Sequence, residues 1–247
     1  MIKIKYPISV DLKNIRLNKK EIAKVKTCIS FDDLKIDKTI ESTLFTREYL
    51  EIPILNGGSK RICFCLMNPS KADTECSDKT VNIVINFVNE KRKEEAFEDI
   101  GTIVIVNLFP FYETVSSFLG AIINYFGEDQ DKDLEVMLEK NQQVILERLS
   151  SSDWIVLGWG DCPDNFKKVI YDSEIKEVLK EASKMKNVYI FEDENNKGIT
   201  IKKQPRHPNR LQLNSLKLVE VEISEVEIQN KSRRPEKSYE IEVKKEI

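Results

Sequence analysis

At 247 residues the chain suits one sizeable domain with extensions and is long enough to bury a real core. Its 40% hydrophobic and 33% charged residues predict a soluble globular protein, and a net charge of −3 argues against sequence-indifferent binding of duplex through overall charge. Any contact with nucleic acid then has to use a local basic surface. The five cysteines are odd in number and scattered, the opening Met1-Ile2-Lys3-Ile4-Lys5 is charged, and no apolar run approaches membrane-spanning length. A reducing cytoplasm, without a membrane, is the expectation.

Residues 1–40 are lysine-rich, carry a weak helical pattern around Glu21 to Val25, and are expected to form an N-terminal extension packed on the domain. A strand is predicted over 48–54, followed by a strong turn signal at Asn56-Gly57-Gly58. The run 61–67 is then either a hairpin partner or the first central strand. Ser77-Asp78 marks a helix start, with Val81, Val84, Ile85 and Val88 on one apolar face and an end in the charged stretch 90–95. The run 102–106 lacks alternation, so both of its faces should be buried, as in a parallel sheet.

A helix using Val115, Phe118, Leu119 and Ile122 should follow and stop near Gly127. Another is expected over 131–149, with Leu134, Met137, Leu138, Ile145 and Leu149 inward. Next come a strand at 154–157 and a helix after Pro163 using Phe166, Val169, Ile170, Val178, Leu179 and Ala182. Strands are predicted at 187–191 and, briefly, at 199–201. Beyond about Val219, charged and apolar residues alternate (Val221, Ile223, Val226, Ile228), which suits either edge strands or a flexible tail, interrupted by Arg233-Arg234-Pro235. Strands alternating with helices predict an α/β fold, a three-layer α/β/α sandwich with a mainly parallel central sheet. The expected divisions are an extension over 1–40, a domain over 41–217 and a C-terminal extension over 218–247.

Chemistry is expected where three apolar runs end. Cys63-Phe64-Cys65-Leu66-Met67 stops at Asn68-Pro69-Ser70, the run 102–106 stops at Asn107, and the run 154–157 stops at Gly158-Trp159-Gly160. In open α/β sheets the ligand crevice lies outside the carboxyl ends of the strands. An amide at a strand end can orient a water or read a base edge, or it can simply form a turn or cap a helix, and both readings apply to Asn68 and Asn107. Asp73 and Asp78 suit a base or, more readily, a cap. Trp159 between glycines can stack on a planar ligand or pack in the core, and Phe109, Phe111 and Tyr112 can form a stacking platform or close the core. Cys63 and Cys65 share one face of a strand, without dependable metal-ligand spacing, and read as buried thiols. No cofactor or metal is implied.

The single histidine, His207, is held between Pro205 and Pro208. A neutral imidazole there can donate a hydrogen bond to a developing anion, although a loop histidine can also be plain surface. Residues 199–217 contain Lys202, Lys203, Arg206, Arg210 and Lys217 and no acid, which makes either a phosphate-binding surface or a solvated basic face.

Taken in order, Met67-Asn68-Pro69-Ser70-Lys71-Ala72-Asp73, Val106-Asn107-Leu108-Phe109, Gly158-Trp159-Gly160 and Pro205-Arg206-His207-Pro208 resemble a bacterial and phage family carrying a domain of unknown function. The resemblance covers roughly 41–217 and departs at Pro208-Asn209-Arg210. The same motif order is similar to the uracil-DNA glycosylase superfamily. That likeness implies a glycosylase-like α/β domain acting on an unusual or modified base flipped out of DNA. It implies that Asn68 positions the attacking water, flanked by Pro69 and Ser70, and that Asn107 reads the base. Phe109 or Phe111 would stack on it, Trp159-Gly160 would line the pocket, His207 would stabilise the departing base, and Leu211 would fill the gap left in the duplex. Lys202, Lys203, Arg206 and Arg210 would meet the nucleic acid. The other class of reading is a module that holds a nucleobase, nucleotide or nucleic-acid end in the same crevice without cleaving it.

Overall fold

A computed structural model describes residues 4–31, 36–112, 119–127, 131–164, 166–211, 216–228 and 236–246. The elements in chain order are β1 (Arg16–Phe31), β2 (Ile36–Pro53), β3 (Lys60–Leu66), α1 (Lys79–Lys91), β4 (Ile100–Asn107), α2 (Leu119–Gly127), α3 (Asp131–Ser150), β5 (Trp154–Leu157), α4 (Lys168–Ala182), β6 (Val188–Glu192), β7 (Lys217–Ile228) and β8 (Glu236–Glu246). All eight strands form one sheet in the order β1-β2-β4-β3-β5-β6-β7-β8.

The expectation of a mainly parallel sheet is corrected. Only the middle, β4-β3-β5-β6, is parallel, while β1–β2, β2–β4, β6–β7 and β7–β8 pair antiparallel, so the sheet is mixed. The cause lies in the two terminal segments. Each folds back on itself as a hairpin, which needs only a short connection and no crossover helix. The weak helical pattern at Glu21 to Val25 falls inside β1, where pairing of Val25 with Ser42 and of Lys24 with Thr43 overrides local preference. At the other edge the alternating tail forms β7 and β8, with Val219 and Val221 buried and Ile223 packed behind them. Arg233-Arg234-Pro235, like Val115 and Phe118, lies outside the described residues.

β3 is a central strand and not a hairpin partner of β2, because β4 inserts between them. Its side chains feed two apolar clusters, one on each face: Cys63 and Cys65 on one side, Ile62, Phe64 and Leu66 on the other. Helix α1 covers the second face through Val81, Val84, Ile85 and Val88. Helices α2, α3 and α4 cover the first through Leu119, Ile123, Leu138, Ile145, Ile175 and Val178. Each fully buried side chain of this size contributes about 1.5–3 kcal/mol. The expected inward Val169 is instead exposed, at the first turn of α4. At the opposite end of the strands Gly101 and Gly58 pass so closely that a Cβ on Gly101 would lie 1.8 Å from the Gly58 carbonyl oxygen, which fixes the start of β3 against β4. Among the described residues no helix is long and apolar enough to cross a membrane.

Chain direction through the middle of the sheet decides where a ligand can sit. From β3 the chain crosses through α1 to β4 on one side, then returns through α2 and α3 to β5 on the other side of β3. The strand order therefore reverses between β3 and β5, and a crevice opens outside their carboxyl ends.

Candidate functional site

A cleft of about 830 Å3 occupies that crevice, within the range usual for small-molecule sites. Four segments wall it: Met67, Asn68 and Ser70 after β3, residues 159–164 after β5, the first turn of α1, and the loop from Thr200 to Arg210.

The loop after β3 is organised by Asp78. One carboxylate oxygen caps α1 by accepting from the Val81 N–H at 2.9 Å. The other accepts from the Ala72 N–H at 3.0 Å and from the Ser70 hydroxyl. Asp73 closes the same loop by accepting from the Glu75 and Cys76 N–H groups. Asp78 is therefore a helix cap and Asp73 a turn former. Beneath them Arg47, 1% exposed, donates from Nη1 to the Ala72 carbonyl at 2.9 Å and lies over the Tyr112 ring at 5.5 Å. Tyr112 donates to the same carbonyl and Tyr6 donates to the Asp73 carbonyl. The backbone carrying Asn68 is thus tied from below and from the helix side.

His207 is tied from three sides. Gly160, at φ +81, lets the chain after β5 turn against it: the Gly160 N–H donates to the Pro205 carbonyl at 2.8 Å, and a Cβ there would lie 3.5 Å from the His207 Cβ. Tyr171 of α4 donates to the Gly160 carbonyl. On the far side Asn209 donates from Nδ2 to the Thr80 hydroxyl, joining the loop to α1. His207 Nδ1 accepts from the Asn209 N–H at 3.3 Å, so the neutral ring carries its proton on Nε2. Burial pushes the His207 pKa down to about 4, the Arg210 charge adds to the fall, and Asp78 opposes it. At neutral pH this histidine is an uncharged donor.

The lining is mixed in charge, with Lys79, Lys202, Arg206 and Arg210 set against Asp161 and Asp164. Asp161 accepts from the Thr200 hydroxyl at 2.6 Å. Arg206 donates from Nε to the Ile199 carbonyl at 3.2 Å. Cys162 also borders the cleft, its thiol held above the ordinary range by burial and by Asp172. Among the described residues no group of three or more His, Cys, Asp or Glu side chains is placed to hold a metal ion.

Of the residues anticipated from sequence, Asn68, Ser70, Trp159, Gly160, Lys202, Arg206, His207 and Arg210 meet at this cleft. Pro69 is buried within the first loop. Trp159 is 1% exposed, with Nε1 donating to Gln204 Oε1 at 2.9 Å, so it forms the wall and presents no open ring face. Four residues lie elsewhere. Phe109 packs on Phe166 at 4.7 Å and Phe111 stacks on Phe126 at 5.9 Å, closing the core instead of forming a platform. Leu211 is buried in the cluster that holds α1, and Asn107 is 1% exposed at the end of β4, its Nδ2 without a hydrogen-bond partner and its carbonyl accepting from Asn141. Lys203 stands exposed beside the cleft.

Lys79, Thr80 and Asn209 were missed as site residues, although a helix starting at Asp78 next to a strand-end loop places its first turn at any ligand. Nothing in the sequence singles out Arg47. The short strand expected at Ile199 is a tight turn closed by a single bridge between Ile199 and Pro205.

No curated protein and no solved structure matches the chain. A family model described as Protein of unknown function (DUF1643) matches residues 47–209. That span begins at the arginine under the Asn68 loop and ends at the asparagine that joins the His207 loop to α1, and among the described residues Arg210 alone lines the cleft beyond it. Matched over more than half of its length, with both loops and the switch point inside the match, the chain belongs to this family, the proteins of unknown function DUF1643.

Proposed function

We propose that the chain hydrolyses the N-glycosidic bond of an unusual or modified base extruded from DNA, on a glycosylase-like three-layer framework. The observation that carries this reading is the convergence of Asn68 and His207, far apart in sequence, on one cleft at the switch point of the sheet, with His207 uncharged and its Nε2–H available. Helices on both faces of the parallel centre are compatible with that framework.

Glycosidic cleavage passes through a cationic sugar and a departing base that gathers negative charge. It needs a held water and a donor to the base more than a strong nucleophile. In this reading the Asn68 amide orients the water whose oxygen bonds to the sugar carbon as the carbon–nitrogen bond breaks, and the water's proton passes to solvent in the open cleft. His207 Nε2–H donates to the base as it takes up the electron pair. Lys202, Arg206 and Arg210 hold the flanking phosphates. The unpartnered Asn107 Nδ2 is a buried donor at the strand end the resemblance assigns to base reading.

The test is a released-base assay: genomic and phage DNA with natural base modifications, and uracil-containing oligonucleotides, incubated with protein and analysed by mass spectrometry. Release by the wild type, lost in both Asn68→Ala and His207→Ala, is the expected result. Undiminished release by His207→Ala refutes the mechanism.

A second reading, a module that binds a nucleotide without cleaving it, is favoured by one observation: Phe109, Phe111 and Leu211 are all withdrawn into the core. Nucleotide binding in the cleft with no base released from any of these DNAs supports it.

A further inference from the structure

The loop over the cleft carries one side chain that the site does not use. Ile201 is 97% exposed. Single exposed apolar residues are ordinary and carry no weight alone, but here the surroundings are unusual. The turn is held in one conformation: the Lys203 N–H donates to the Thr200 carbonyl at 3.0 Å and the Thr200 N–H to the Gln204 carbonyl at 2.8 Å. The Gln204 N–H reaches the Thr200 hydroxyl at 3.1 Å, and that hydroxyl in turn holds Asp161 in the cleft wall. Lys203 sits at φ +63, a left-handed conformation that a lysine adopts only under constraint. The backbone that carries Ile201 is therefore fixed, and its side chain stands in solvent.

On one side of it Thr200 and Lys202 line the cleft. Lys202 and Lys203 follow it directly, and neither forms an ion pair among the described residues. A β-branched apolar tip on a fixed turn, beside two cations outside any ion pair among the described residues, matches one ligand chemistry closely. It is the surface of a nucleic-acid strand, where apolar base faces lie beside phosphates.

We infer that the turn from Thr200 to Lys203 is a docking element for a nucleic-acid strand continuing beyond the nucleotide held in the cleft, with Ile201 pressed against or between the neighbouring bases and the lysines on their phosphates. The inference rests on the nucleotide-binding reading of the cleft and deepens it. It names a polymer as the ligand, because a free mononucleotide leaves Ile201 in water. It also moves the base-contacting apolar residue from buried Leu211 to exposed Ile201.

The experiment uses three probes on the full chain: deoxyuridine monophosphate, a 15-nucleotide single strand, and a duplex carrying a tetrahydrofuran abasic site next to 2-aminopurine, whose fluorescence rises on unstacking. Wild type is expected to bind both DNAs more tightly than the monomer and to raise the 2-aminopurine signal. Ile201→Ala is expected to lose the fluorescence rise and about tenfold in DNA affinity, with monomer affinity within about twofold of wild type. Lys202→Ala/Lys203→Ala should weaken DNA binding and flatten its salt dependence. Ile201→Ala matching wild type on both DNAs overturns the inference and leaves the cleft reading standing. Monomer binding without DNA binding does the same. Wild type that binds none of the three removes the cleft reading, and this inference with it.

Discussion

Because the chain has one histidine, the state of His207 can be measured without assignment ambiguity. Its pKa in the fold is about 4, against an ordinary 6.5. A folded-state pKa below the unfolded one means that, between those values, the unfolded chain binds a proton the native chain refuses. Stability from this group is therefore fully present above about pH 6.5 and declines as pH falls toward about 4. The integrated loss approaches about 3 kcal/mol, and contact with an open cleft trims it toward about 1–2 kcal/mol. Against a total stability of about 5–15 kcal/mol that is easily seen.

The assay is a proton NMR titration of the single imidazole C2–H resonance, paired with urea unfolding at pH 7, 5.5 and 4.5. The resonance should titrate near pH 4. Wild type should lose more stability than His207→Gln between pH 6.5 and 4.5, the comparison cancelling the carboxylates common to both. Arg210→Ala should move the midpoint up, since that charge opposes protonation, and Asp78→Asn should move it down. A midpoint at or above 6.5 refutes the neutral-donor argument, and the assigned role of His207 falls with it.

Three further outcomes are expected. Asp78→Ala removes a helix cap and strands the buried Ala72 N–H, costing about 2–4 kcal/mol in urea unfolding, whereas Asp78→Asn keeps the cap oxygen, loses only the acceptor for the Ala72 N–H and costs less; equal losses would show that the cap contributes nothing and that the second carboxylate oxygen carries the whole effect. Gly160→Ala should destabilise by about 1–2 kcal/mol through backbone strain at φ +81, and an unchanged melting temperature would refute it. With a thiol-reactive dye, Cys76 and Cys162 should label in the native protein, while Cys63 and Cys65, fully buried with burial raising both pKa values, should label only after unfolding.

Much of the site was readable because proline and glycine punctuate it. Asn68-Pro69, Gly158-Trp159-Gly160 and Pro205 to Pro208 each stop an apolar run abruptly, and strand ends are where a sheet exposes side chains to a crevice. The capping role of Asp78 was readable for the same local reason. What failed was non-local. Sequence gives no sign of which way the Asn107 side chain turns at its strand end, nor that Phe109 and Phe111 meet Phe166 and Phe126 across the core. Ile199 and Ile201 look like a strand because both are β-branched, yet the αL turn at Lys203 limits pairing to one bridge, Ile199 to Pro205. The N-terminal edge hairpin was hidden by lysine and glutamate, residues that antiparallel edges tolerate because one face meets water, whereas the alternating tail already allowed edge strands at the other side.

One of the charges that would recruit a phosphate, Arg210, also helps to hold His207 neutral. Arg210 lowers the histidine's pKa and also lines the cleft, with Lys79, Lys202 and Arg206 beside it. An anion bound among these cations cancels part of their field at the imidazole, so the pKa must rise when the cleft fills. Burial remains the larger cause of the depression, so the ring is expected to stay uncharged at pH 7 with or without the anion, as the proposed donation to a departing base requires. Titrating the C2–H resonance with and without saturating inorganic phosphate tests this directly. An upward shift that stays below 6.5 is expected in wild type, and a smaller one in Arg210→Ala. No shift, or a downward one, would place the anion elsewhere and separate the cationic lining from the histidine it surrounds.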